Sequence, residues 1–211
     1  MIEVNKHNIE ICALSELKKK GKGNIRYQHH ILFYSGREKH QRAKAGVGIL
    51  IHDKFEDHID EVQYINSNIM YISLKDETTR TYFISIYAPD VNRPNEERTA
   101  FFEELHQVID EIPKKSKIFI MGDFNSRIGN TVLPGVMQRF NEDVINNNGE
   151  MLITLCAQNE LPINNTFFKH KIQQKYTFGN TRDQNSMIDY IITNRTVHPS
   201  QILDVRTLFN G

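Results

Sequence analysis

Apolar positions along the chain fall into short runs separated by polar stretches. Seven runs read as strands: IEICAL (9–14), GVGILI (46–51), MYISLK (70–75), YFISIYA (82–88), KIFIMG (117–122), MIDYIIT (187–193) and ILDVRTL (202–208). They are rich in Ile, Val, Tyr and Phe. Several are apolar on both parities, as expected of strands covered on both faces. Two segments repeat with a helical period instead. Residues 95–112 set Phe101, Leu105, Val108, Ile109 and Ile112 three or four apart, with Asn95 where a cap belongs and Glu96 and Glu97 in the first turn. Residues 149–160 do the same with Leu152, Leu155 and Cys156, after an Asn-Asn-Asn run that can cap. Helices interspersed with buried strands predict a layered α/β (α+β) domain. The stretches 125–148 and 164–186 are long and polar for such a domain, and loops of that kind are often functional.

Composition narrows this picture. A chain of 211 residues with 39% apolar residues supports one large domain, taken as 1–211, with a sizeable core. Lys+Arg and Asp+Glu balance at 26 each, so attraction to a polyanion has to come from a local patch. Cys12 and Cys156 are far apart in apolar surroundings and read as reduced, buried thiols. No apolar stretch approaches the ~20 residues of a membrane span, and MIEVNKHNIEIC has no signal-peptide core. The expectation is an intracellular protein, nuclear or cytoplasmic, neither secreted nor membrane-bound.

Candidate chemistry collects where strands end. In KIFIMGDFN the apolar run stops at Asp123 and Asn125, two apart and hence on one side of an extended segment. A carboxylate there can ligate a hard cation or take a proton from water, and an amide can orient that water; an Asx turn explains the same residues. EICALSELK ends on Glu16, either a single-carboxylate Mg²⁺ ligand or an exposed glutamate. ISIYAPD ends on Tyr87, a phosphoryl-oxygen donor or a core tyrosine. SMIDYIITN buries Asp189 in an apolar strand, where an unpaired carboxylate is costly and needs a partner or a task. Tyr176 and Thr177 in KYTFGN are phosphate or sugar contacts or plain strand residues. The basic clusters LKKKGKGNIR (17–26) and GREKHQRAK (36–44), with Arg37 and Lys44, are solvated loops or backbone contacts.

In the order Glu…Tyr-Ala-Pro…Gly-Asp-Phe-Asn…Tyr-Thr-Phe…Ile-Asp-Tyr, the chain resembles the endonuclease/exonuclease/phosphatase superfamily over essentially its whole length. YSGREKHQRAKAGVGILI, VLPGVMQRFNEDVINNNGEMLITLCAQNELPINNTFFKHK and SMIDYIITNR are similar to the endonuclease domains of non-LTR (LINE-type) retrotransposons and to the craniofacial development protein 2-like proteins. The resemblance implies a four-layer α/β sandwich that cleaves phosphoesters with Mg²⁺, Mn²⁺ serving as a substitute. It implies that Glu16 binds metal, that Tyr87 is an active-site tyrosine, and that Asp123 and Asn125 position and activate the attacking water. Asp123 would also bind metal. Thr177 would contact DNA, with Tyr176, Arg37 and Lys44 as further contacts to the phosphate backbone. Asp189 would orient the family's catalytic histidine. Two parts of the family pattern are expected to be missing: an opening strand with an Asn near the metal, and a closing Ser-Asp-His. His198, in TVHPS, reads as a loop histidine. Without a histidine partner, Asp189 is expected to be solvated, re-paired or raised in pKa. The function expected is a retrotransposon-derived DNA endonuclease-like hydrolase, a monomer, impaired by those gaps. The alternative is an inactive remnant that binds nucleic acid or protein.

Overall fold

Apolar runs in the first part of the chain become antiparallel strands. The computed structural model describes residues 2–38, 40, 45–171, 174–179 and 185–208, and divides into two compact units, Met1–Tyr87 and Ala88–Gly211.

The first unit opens with a short helix, α1 (Ile2–Lys6). Strands β1 (Ile11–Leu14), β2 (Lys22–Tyr27), β3 (His30–Ser35) and β4 (Val47–His52) form an antiparallel sheet in the order β1-β4-β3-β2. Strands β5 (Ile59–Tyr64), β6 (Ile69–Lys75) and β7 (Arg80–Tyr87) pair antiparallel in sequence. Ile31, Phe33, Val47, Ile49 and Ile51 of the one set pack against Met70 and Ile72 of the other, giving a two-layer core. Burial of apolar surface between the sheets stabilises the unit at about 25 cal/mol per Å². The expected strands 9–14, 46–51, 70–75 and 82–88 are all present, each shifted by a residue or two. β2, β3 and β5 are additions. β2 (KGNIRY) is largely exposed and β5 (IDEVQY) half-buried, so polar residues dilute their apolar pattern, and pairing with neighbours defines them.

In the second unit, α2 (Asn95–Glu111) buries Phe101, Phe102, Leu105, Val108 and Ile109, and packs against α3 (Asn147–Gln158), which buries Leu152, Leu155 and Cys156. Burial pushes the Cys156 thiol well above its ordinary pKa. Asn146, within the Asn run, caps α3 by accepting from the Gly149 N–H at 2.8 Å. Asn95 begins α2 rather than capping it, and Pro94 takes the cap position. β8 (Lys117–Asp123) pairs antiparallel with β11 (Asp189–Thr193), and the two-residue strands β9 (Phe178–Gly179) and β10 (Asn185–Ser186) pair antiparallel. The strand expected at 202–208 is absent. This segment is irregular, with Leu203 and Leu208 exposed and Val205 buried, and it is fastened to the preceding loop by Thr207, whose N–H donates to the Gln174 carbonyl at 2.9 Å. Among the described residues no strand pairs with it, so propensity alone does not make a strand. Among the described residues no helix is long and apolar enough to cross a membrane.

Candidate active site

The residues singled out by sequence fall into two groups, one in each unit. In the first unit, β1 ends at Leu14 and the chain turns, so that Glu16 lies beyond the strand with φ 53°, a left-handed conformation costly for a residue with a Cβ. Tyr87 closes β7, and its hydroxyl donates to Glu16 Oε1 at 2.7 Å. The Glu16 side chain is 53% exposed, with the Lys18 ammonium 4.0 Å from Oε2. An accessible carboxylate thus sits in a strained turn, with one oxygen fixed by a phenol. Arg37 bridges Lys20 through its backbone, and its side-chain Nε is buried. Lys44 lies outside the described residues.

In the second unit, β8 delivers Asp123 at its last position and β11 begins at Asp189, and the two are direct cross-strand partners. Parity does not carry the strand on to Asn125. Phe124 is fully buried, and Asn125 adopts φ 47°, a left-handed conformation that asparagine tolerates better than most residues. The turn closes through Asp123 Oδ1, which accepts from the Asn125 N–H at 2.8 Å. The Asx turn and the polar corner are therefore the same structure. Asn125 Nδ2 donates to the Ala88 carbonyl at 2.9 Å, which fixes the amide and leaves its Oδ1 to face elsewhere as an acceptor.

Asp189 is held from both sides of its backbone. Its N–H and that of Ile188 donate to Thr177 Oγ1 at 3.2 and 3.1 Å, and its carbonyl accepts from Asn165 Nδ2 at 3.2 Å. Burial raises the Asp189 carboxyl above the ordinary aspartate pKa, and the Thr177 hydroxyl partly offsets the rise. Of the fates expected for this carboxylate, two apply together: it is re-paired with the Thr177 hydroxyl, and burial pushes its pKa up. Thr177 lies against Asp189, and the adjacent Tyr176 carbonyl accepts from Thr207 Oγ1 at 3.2 Å. His198 is a capping residue, its Nδ1 accepting from the Ser200 N–H at 3.2 Å.

A supporting network behind this corner has no counterpart in the sequence reading. Asn146 Nδ2 and Asn148 Nδ2 both donate to the Asn125 carbonyl at 3.2 Å. Arg127 pairs with the buried Glu142, whose Oε1 accepts from the Met187 N–H at 2.8 Å. The buried Tyr190 hydroxyl reaches the carbonyls of Met187 and Ser126 at 2.7 and 2.9 Å. One signal was available in the sequence: Arg98 lies on the apolar stripe of α2, three residues before Phe101 and seven before Leu105. The Asn run also does more than cap a helix.

Hard oxygen donors are the natural partners of a divalent cation such as Mg²⁺, which takes one or two carboxylates and keeps several waters. Among the described residues no three His, Cys, Asp or Glu side chains gather into a preformed cage. The exposed Glu16 carboxylate suits a cation of that habit.

A sequence profile described as the endonuclease/exonuclease/phosphatase family matches residues 3–207. Craniofacial development protein 2 of Bos taurus is 31% identical over 194 residues, covering 90% of this chain and 32% of that protein. The chain thus spans about a third of the length of the curated relatives it matches. Among solved structures, the endonuclease domain of TRAS1, a telomere-specific non-LTR retrotransposon, aligns with a TM-score of 0.59 at 16% identity, covering 92% of this chain and 76% of that one. AP endonuclease LMAP from Leishmania major aligns with a TM-score of 0.66 at 7% identity, covering 93% and 73%. Both likenesses are of fold.

Proposed function

Because the chain belongs to the endonuclease/exonuclease/phosphatase family, and has its α/β fold, we propose that it is a metal-dependent phosphodiesterase of the retrotransposon-endonuclease kind, acting on the DNA backbone. The observation that carries this reading is the corner of the second unit. There Asp123 stands directly across from Asp189, and Asn125 is fixed by its own amide on the Ala88 carbonyl. A site for in-line attack on a phosphodiester needs a group to receive a proton from water and an acceptor to orient that water. Asp123 serves as the first and Asn125 Oδ1 as the second. Asp189, with its raised pKa, holds a proton longer than an ordinary aspartate and can donate it in a hydrogen bond. Glu16, its geometry set by Tyr87, is a proposed ligand for Mg²⁺ or Mn²⁺ in the first unit, and Asp123 is a proposed metal ligand in the second. Such an ion, when bound, stabilises negative charge on a phosphoryl group as a Lewis acid. Thr177, Tyr176, Arg37 and Lys44 are the proposed contacts to DNA phosphates.

The test is nicking of supercoiled plasmid in Mg²⁺, in Mn²⁺ and in chelator, alongside anisotropy of a labelled duplex over a salt series. The expected result is metal-dependent nicking that disappears in Asp123→Ala, with duplex binding that weakens steeply as salt rises. Salt-dependent binding without nicking in either metal would leave the binding-remnant reading in its place. Absence of both binding and nicking would overturn the proposal.

A further inference from the structure

Arg98 lies on the buried face of α2 and is 6% exposed. Its guanidinium donates from Nη1 to Asn148 Oδ1 and from Nη2 to Asn95 Oδ1, each at 3.1 Å, and its Nε has no hydrogen-bond partner among the described residues. Both acceptors are neutral amides, and no carboxylate forms an ion pair with Arg98 among the described residues. A buried cation without a counter-charge is costly. Stability alone would favour a leucine or methionine on this stripe, so the arginine must serve something else.

Asn148, through which Arg98 acts, is completely buried. With its Oδ1 end held by the guanidinium, its Nδ2 end is forced to point the other way, onto the Pro89 carbonyl at 2.9 Å and the Asn125 carbonyl at 3.2 Å. A donor carrying charge polarises the amide it binds and strengthens that amide's own donated bonds. The receiving end is the left-handed turn at Asn125, whose side chain the corner depends on. We propose that Arg98 is a positioning residue for the Asp123–Asn125 corner: acting through Asn148, it locks the turn at Asn125 and so aims the Asn125 amide. The proposal rests on the reading of that corner as a phosphodiesterase site, and only its kinetic consequence depends on that reading.

Two measurements test it. In the first, the side-chain amide protons of Asn125 are followed by ¹H–¹⁵N NMR in the wild type, Arg98→Met and Arg98→Lys. Lysine keeps the charge and loses the fork that reaches Asn95 and Asn148 together, so it covers the case in which Arg98→Met fails to fold. The Asn125 amide, protected on the Ala88 carbonyl in the wild type, should move to solvent-like shift and exchange in both variants, while the backbone spectrum away from the corner stays in place. An unchanged Asn125 signal in a folded variant overturns the proposal. In the second, the nicking kcat of Arg98→Lys should fall by about 10- to 100-fold with KM held, the signature of a displaced catalytic group. Combining it with Asn148→Ala should cost little more than the worse single substitution. Multiplying effects would mean that Arg98 does not act through Asn148. A wild type that nicks nothing would overturn the functional reading and leave the NMR result to decide the proposal.

Discussion

Replacing Tyr190 by phenylalanine removes one oxygen and nothing else, so its cost isolates what fastens the Asp189 strand to the loop after Asn125. The Tyr190 ring is 2% exposed and lies 5.9 Å from the Phe124 ring; phenylalanine keeps that packing and opens no sizeable cavity. What is lost is the hydroxyl shared between the Met187 and Ser126 carbonyls at 2.7 and 2.9 Å. One proton serves both acceptors, so the loss counts as one bond. Leaving a buried polar group unsatisfied costs about 1–3 kcal/mol, and about 2 kcal/mol is expected here, equivalent to about 4–8 °C in Tm at this chain length. The control is the same change at Tyr87, whose hydroxyl donates to the half-exposed Glu16. Water can replace that bond, so Tyr87→Phe should cost under about 1 kcal/mol. Urea unfolding followed by circular dichroism reads both, with the slope checked for constancy. A Tyr190→Phe midpoint equal to the wild type, or to Tyr87→Phe, would refute the claim that the buried hydroxyl holds the corner together.

Three further outcomes are expected. Burial raises the Asp189 carboxyl in the folded state above its unfolded value, so the folded chain binds that proton more tightly. Asp189's own contribution to stability is fully present below the ordinary aspartate range and is lost as pH rises through the folded pKa; Asp189→Asn should be more stable than wild type at neutral pH, with that part of the pH dependence absent from its unfolding profile. Mg²⁺ or Mn²⁺ should raise the melting temperature of the wild type with a saturable dose response, and Glu16→Gln should abolish the gain; an equal shift in the variant removes Glu16 from the metal site. Gly149→Ala would place a Cβ 1.9 Å from the Arg127 carbonyl oxygen, backbone against backbone, and should destabilise by about 3 kcal/mol, read as a lowered urea midpoint; a neutral result would mean that α3 can move away from the loop after Asn125.

Linear pattern determined a good deal about this protein. Apolar runs located four strands of the first unit and both strands of the Asp123–Asp189 pair, though not the core strand β3, and period-3.6 spacing located the two long helices, because burial of one face repeats along a helix at its own period. The Gly-Asp-Phe-Asn end of β8 and the Ile-Asp-Tyr start of β11 pointed to the right carboxylates, and the cost of burying a charge announced that Asp189 would be perturbed. What the linear pattern could not reach is set by partners distant in sequence. β2 and β5 exist because neighbouring strands pair with them, whereas 202–208 has the composition of a strand and, among the described residues, no strand to pair with. Asn125 departs from strand parity because its carbonyl is held by Asn146 and Asn148, some twenty residues away, and its amide by Ala88. The pairing of Asp123 with Asp189, sixty-six residues apart, is a matter of register. Register and hydrogen-bond direction are properties of the packed backbone, so only the tertiary structure could decide that a row of asparagines and a misplaced arginine would hold the corner that the sequence had marked.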